Sequence, residues 1–225
     1  MSELSDEQLM RRHQDGDSDA FSALFVRHAR VLYSALCCLL TDEERAVTVA
    51  SQTWQDVHRL RSSYRPSQSF HCFLFTLAAS RRRAVERESS VSASQPGEPR
   101  PVTDGPSLLL ALRSLPDSYR EVVVLQRCVG LSSAEIATVL GATEAAVLQR
   151  AGAGDAQLAQ AGVPLPATTL LPVSPATLDH IARAVLPTVE RPARPQLPPM
   201  LWLSGLLLCL GLVLSLSLFW VHLRR

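Results

Sequence analysis

The sequence predicts an all-α protein: two small helical modules on a flexible linker, followed by one transmembrane helix. Three features predict it. Apolar residues recur at intervals of three and four in segment after segment. Helix-capping residues and glycines punctuate the ends of those segments. No stretch alternates apolar and polar residues as a half-buried strand does.

The elements follow in order. Ser5-Asp6-Glu7 caps a short helix to about Gln14, which Gly16 ends. Asp17-Ser18-Asp19 starts a second, in which Phe21, Leu24, Phe25, His28, Val31, Leu32, Ala35 and Leu39 keep helical spacing. Thr41-Asp42-Glu43-Glu44 opens a third with an N-cap and an acidic first turn. Its residues Ala46, Val49, Ala50, Trp54 and Val57 share one face. The polar run RSSYRPSQS, Arg61 to Ser69, breaks the pattern. A fourth helix from Phe70 to about Arg87 buries Phe73, Leu74, Leu77 and Ala78, then turns basic at Arg81-Arg82-Arg83.

Serine, proline and glycine dominate 89–106, so that stretch reads as a linker. The module at 107–160 holds four short helices: Ser107 to Leu115, Pro116 to Cys128, Ser132 to Leu140 and Thr143 to about Gln160. Pro116 suits a first helical position, and Gly130 and Gly141 are placed to end helices. Gly152 and Gly154 each cost a helix interior about 1 kcal/mol relative to alanine, which weakens the last helix beyond Arg150. Residues 161–199 form a proline-rich stalk with a short helix at Ala176 to Leu186.

Met200 to Val221 carries no charge over 22 residues, enough to cross a hydrocarbon core of about 30 Å. Trp202 and Trp220 stand about 27 Å apart along such a helix, at the two interfaces. Arginines flank the run on both sides, so they orient it weakly. Met1 to Asp19 is polar and charged, unlike a signal peptide. The expectation is cytoplasmic domains anchored to the cell membrane by a single C-terminal helix.

Composition narrows the chemistry. All 22 basic residues are arginine, and the formal net charge of +1 gives no global pull toward nucleic acid. The five cysteines, Cys37, Cys38, Cys72, Cys128 and Cys209, form no C-x-x-C pair and read as buried thiols. There is no P-loop, no H-E-x-x-H, no nucleophile elbow and no metal-ligand spacing, so neither an enzyme nor a cofactor is expected.

Specific residues carry a family resemblance. Asp19-Ala20-Phe21, Leu24, His28 and Val31-Leu32-Tyr33 resemble the opening of region two of bacterial RNA polymerase sigma factors of the extracytoplasmic-function type. The run beginning at Phe70, FHCFLFTLAAS, resembles that family's aromatic-rich helix, and the arginines after it match its basic end. Leu115-Pro116, Tyr119-Arg120-Glu121-Val122, Gly130-Leu131-Ser132, Glu135-Ile136-Ala137 and Leu140-Gly141 resemble region four, a helix-turn-helix. The resemblance covers about Leu4 to Gln160. It implies that region two binds core RNA polymerase and melts promoter DNA, while region four reads the major groove and touches the polymerase.

The resemblance also places candidate sites. For promoter DNA they are Arg81, Arg82, Arg83 and Arg87 along the phosphate backbone, with Tyr64 and His71 beside melted bases and Phe70 and Phe73 either framing bases or filling core. In region four they are Thr143, Glu144 and Arg150. For core polymerase they are Thr48, Ser51, Gln52 and Trp54. Between Ser107 and Gln160, four arginines (Arg113, Arg120, Arg127, Arg150) face five acids (Asp117, Glu121, Glu135, Glu144, Asp155). Such a module holds DNA weakly alone, because affinity follows the number of phosphates neutralised. The sequence therefore predicts a membrane-tethered sigma factor partnered by core polymerase and promoter DNA, with an anti-sigma protein as a further candidate partner. The alternative is a sigma-like adaptor that binds a protein without reading promoters.

Overall fold

The computed structural model describes residues 4–40, 42–92, 107–162 and 173–189, and every regular element among them is helical. Most of the expected linker and the whole of the apolar run at 200–221 lie outside the described residues.

Local chemistry sets the helix starts in the first half. α1 (Asp6–Gln14) begins with a capping box, in which Ser5 accepts from Gln8 N–H and the Gln8 side chain accepts from Ser5 N–H. α2 (Ser18–Leu39) is capped by Asp17, whose carboxylate accepts from Asp19 and Ala20 N–H. α3 (Glu43–Arg59) is capped by Asp42 and leads into a 3-10 turn at Arg61–Ser63. α4 (Phe70–Ser92) runs past the expected end at Arg87.

α2 is long and apolar enough to span a membrane, yet 61% of its most apolar window is buried inside the protein. It is the central helix of a core rich in rings. Trp54 and Phe21 are both fully buried and meet edge to face at 5.8 Å, and Phe25 lies 5.1 Å from Trp54. Such ring pairs add about 0.5–1.5 kcal/mol beyond the area they bury.

The second half uses shorter helices: α5 (Ser107–Ser114), α6 (Asp117–Val123), α7 (Ser133–Leu140) and α8 (Glu144–Gln160). The sequence predicts one continuous helix from Pro116 to Cys128. Instead Pro116 is the N-cap, and the last turn widens into a π turn at Val124–Val129 that Gly130 ends at a φ of 83°. This turn packs against α2 and buries Val124, Leu125 and Cys128.

α8 does not weaken at its glycines. It continues to Gln160 and buries Val147, Ala151, Gly154 and Leu158 on one face. Gly154 is there because α6 lies close: a Cβ at this position would stand 2.6 Å from Val123 Cγ2. The helix-propensity cost of glycine is offset by the close approach it permits.

The described residues, all within 1–190, form one compact unit, and a single buried cluster runs through them. Besides the π turn on α2, α7 packs on α4. The stalk helix, α9 (Pro175–Val189), begins one residue before the expected Ala176. Rather than standing free in a tether, it packs on α3 and α2 with Ile181 and Val185 buried. Cys37, Cys38, Cys72 and Cys128 are free and buried, and burial pushes the Cys37 thiol up to about 11.

Candidate nucleic-acid interface

α7 and α8 make a helix-turn-helix whose joint is built from three residues. Ser132 caps α7 through a capping box with Glu135. Gly141 ends α7 in the left-handed region at φ 64°, where its N–H bonds Thr138 O and the next N–H, of Ala142, bonds Ala137 O. Thr143 then caps α8, its hydroxyl accepting from Ala146 N–H at 3.3 Å. With Val147 and Ala151 turned inward, α8 presents Thr143, Glu144, Leu148 and Gln149 outward, with Arg150 half-buried at the edge of that face. Thr143 is thus the N-cap of α8, Glu144 its first residue, and Arg150 lies nearly two turns further along it.

That face is open but carries little charge. Arg127 is bound to Asp155 at 2.5 Å, which ties the π turn to α8 and holds the guanidinium charged. Thr143 leaves the positive end of the helix dipole at the surface, whereas Glu144 opposes a phosphate there.

The first-half candidates lie differently. Arg83 and Arg87 are exposed on α4, with Arg83 Nε donating to Ala79 O at 3.0 Å. Arg81 is tied to Asp56, a carboxylate only 5% exposed that also takes Arg59 at 2.6 Å. The side chain of Arg82 is 11% exposed and lies between Glu86 at 2.7 Å and Glu121 of α6 at 2.6 Å. Burial works against the Arg82 charge, and the two carboxylates more than restore it. The expectation that all four arginines line an open backbone track is therefore corrected: two of them are committed to carboxylates.

Tyr64 needs a correction too. Its polar neighbours suggest an open stacking residue, yet it is 2% exposed. Its hydroxyl donates to Gln68 O at 2.9 Å and its ring meets Phe73 edge to face at 5.3 Å. Burial first, then Glu7 and Asp6, pushes its phenol up to about 12. Phe70 and Phe73 are core residues. His71 is half-buried, with Nε2 3.0 Å from Nδ1 of His28, which in turn reaches Asp6 at 2.8 Å.

On α3, Thr48 is exposed and its hydroxyl donates to Glu44 O, while Ser51 and Gln52 are half-buried. Trp54 is fully buried among rings and presents no surface, so it belongs to the core and not to a polymerase contact. The helical periodicity of α3 already places it on the inward face.

Two residues absent from the sequence-based candidates join the halves. Glu121 holds Arg82, and Glu135 accepts a short hydrogen bond from Ser69 in the polar run before α4. Burial works against ionising Glu135, but bonds from Ser69 and Ser132, with His71 nearby, hold its carboxyl below the usual range. Local sequence marks Glu135 only as the capping-box partner of Ser132, and it signals neither contact with the first half, where the partners lie 39 and 66 positions away.

Comparison with known proteins supports the same reading. A family model described as Sigma-70, region 4 matches residues 107–152. RNA polymerase sigma factor CarQ of Myxococcus xanthus is 33% identical over 157 residues, covering 64% of this chain and 90% of CarQ. RNA polymerase sigma factor NccH of Alcaligenes xylosoxydans xylosoxydans is 25% identical over 171 residues, covering 68% of this chain and 92% of NccH. Among solved structures, CnrH in complex with the cytosolic domain of CnrY matches with a TM-score of 0.56 at 25% identity, covering 69% of this chain and 96% of CnrH. The sigma factor RpoE from Bartonella quintana, in complex with the anti-sigma factor NepR, shares the fold at a TM-score of 0.52 and 19% identity, over 62% of this chain and 94% of RpoE. With CarQ matched along nearly its full length and the region-four model lying on α5 to α8, the chain belongs to the RNA polymerase sigma factors of the extracytoplasmic-function type and acts in transcription initiation.

Proposed function

We propose that this sigma factor acts without catalysis of its own, directs core RNA polymerase to a restricted set of promoters, and does so from the membrane. The observation that carries the promoter reading is the open outward face of α8 beyond a Schellman turn at Gly141. Thr143, Glu144 and Arg150 face the major groove, and Arg83 and Arg87 follow the phosphate backbone. Thr48, Ser51 and Gln52 on α3 meet core polymerase. The weak charge of the second half means that the polymerase and the first half supply most of the hold on DNA. Arg81 and Arg82 join that hold only after their carboxylates are displaced, so the arrangement with Arg82 on Glu121 is a resting state.

The uncharged run at 200–221, with tryptophan near each end, anchors the chain in the cell membrane with 1–190 in the cytoplasm. Cleavage in the stalk releases it. An anti-sigma protein is a further partner in this reading, in keeping with a solved relative, CnrH, that is held by another protein.

The test is run-off transcription with the full-length chain and core polymerase on genomic DNA. Discrete transcripts that vanish when Thr143 and Arg150 are both replaced by alanine are expected. Polymerase binding without any transcript would instead describe an adaptor. Alkaline extraction of membranes checks the anchor, which should stay in the pellet and be lost when 200–221 is deleted.

A further inference from the structure

The groove between α2 and α3 holds an amphipathic helix for which the two-module plan has no use. In α9, Leu178, Ile181, Ala182, Val185 and Leu186 recur at intervals of three and four and share one face. That face is turned down: Ile181 is 1% exposed and Val185 0%, while Asp179, His180 and Arg183 are exposed. α9 packs mainly on α3 and secondarily on α2.

Gln55 locates the contact. Its Nε2 donates to Ala184 O of α9 at 3.5 Å. Residues three, four and seven positions earlier on the same helix, Gln52, Ser51 and Thr48, lie on the stripe that Gln55 extends. Half-burial of Ser51 and Gln52 fits a helix lying along that stripe. It is the stripe that core polymerase contacts in the reading above.

We propose that α9 is a built-in occupant of the polymerase-binding stripe on α3, a helix-in-groove contact that the chain makes with itself and that core polymerase must displace. The proposal rests on the reading of α3 as the polymerase contact. An intramolecular competitor acts at high effective concentration, so a modest contact suffices to keep the stripe covered. Where only a fraction of the chains has α9 lifted, the apparent Kd for polymerase weakens by that fraction. The place of α9 in the chain, between the helix-turn-helix and the apolar run at 200–221, makes the stalk its release point: a cut at 163–172 turns a tethered competitor into a free one.

The experiment measures binding of the full-length chain to core polymerase. Two alterations lift α9: the double substitution Ile181→Asp with Val185→Asp, and a site-specific protease sequence inserted within 163–172 and then cut. The second leaves every packed side chain unchanged, so it decides the matter if the first unfolds the protein. Either alteration should tighten the Kd by about tenfold or more, and excess synthetic peptide spanning 173–189 should reverse the gain. An unchanged Kd in the cut chain, with the peptide without effect, overturns the inference and leaves the sigma reading intact. Thr48→Arg with Gln52→Arg, placed in the cut chain, tests α3 itself: undiminished polymerase binding there removes the premise and the inference together.

Discussion

The two halves of this sigma factor hold themselves together by different means. The half from α1 to α4 is organised on rings: Trp54, Phe21, Phe25 and Phe70 meet at 5.1–6.4 Å around a 22-residue central helix. The half from α5 to α8 has no ring in its fully buried core. It relies on Val122, Val123, Ile136, Val147 and the close seat of Gly154. Three of its helices have only seven or eight residues, too short to be stable without tertiary contacts. A ring core tolerates a divergent surface, whereas short helices need a neighbour. Here the neighbour is the first half, through α4 on α7 and Arg82 on Glu121.

The comparison is most directly broken at Trp54. Replacing Trp54 by alanine should cost about 3–5 kcal/mol, read as a shift in the urea midpoint of the full chain. A loss under about 1 kcal/mol would deny the rings their role. Acid comes next, because it acts on the first half: buried His13 is lowered to about 4, mainly by desolvation, and no histidine occurs between Ser107 and Gln160. Above pH 6.5 the His13 imidazole is neutral in both states and contributes no slope. Between 6.5 and about 4 the unfolded chain takes up a proton that the folded chain refuses, so stability falls as pH falls, by on the order of 3 kcal/mol. Urea titrations at pH 7 and pH 4.5 should show this, and His13→Gln should make the fall shallower, with the remainder carried by His28 and His58, which burial also lowers.

The contact between the halves ranks third. Glu121→Ala strips a carboxylate from the nearly buried Arg82 and should cost about 1.5–3 kcal/mol. Amide exchange should rise in α6 and α7 more than in α2, and equal rises would mean that the halves do not lean on each other as described. The two glycines of α8 give the smallest effects, with opposite signs. Gly154→Ala drives a Cβ into Val123 and should lose about 1–2 kcal/mol despite better helix propensity. Gly152→Ala meets no atom within 4 Å and should gain up to about 1 kcal/mol. Thermal melts of the pair suffice, and a gain at both positions would show that α8 is not seated on α6.

Much of the fold is legible locally. The caps Ser5, Asp17, Asp42, Ser132 and Thr143 all fall at the helix starts that the sequence predicts, and Gly130 and Gly141 take the left-handed conformations that end helices. The apolar spacing of α3 is explicit enough to place Trp54 inward, which is why its removal from the polymerase stripe needs only that spacing. Tyr64 misleads because RSSYRPSQS is polar on both sides of it. Only the return of α4 shows that its ring has Phe73 to lie on. The arginine cluster misleads for a similar reason: a run of like charge states what DNA would meet, and says nothing about a carboxylate brought in from 25 or 39 positions away.

By itself the sequence determined the helices, their caps, the helix-turn-helix and the family, because these rest on interactions within a few residues along the chain. Tertiary structure alone decided which charged side chains remain available. Arg81 and Arg82 are bound, Arg127 is bound, and α3 carries α9, with Gln55 donating to Ala184 O. The physical reason is range. A cap or a helical stripe is closed by neighbours at fixed spacing, whereas an ion pair or a docked helix depends on which distant segment folding brings to the same place.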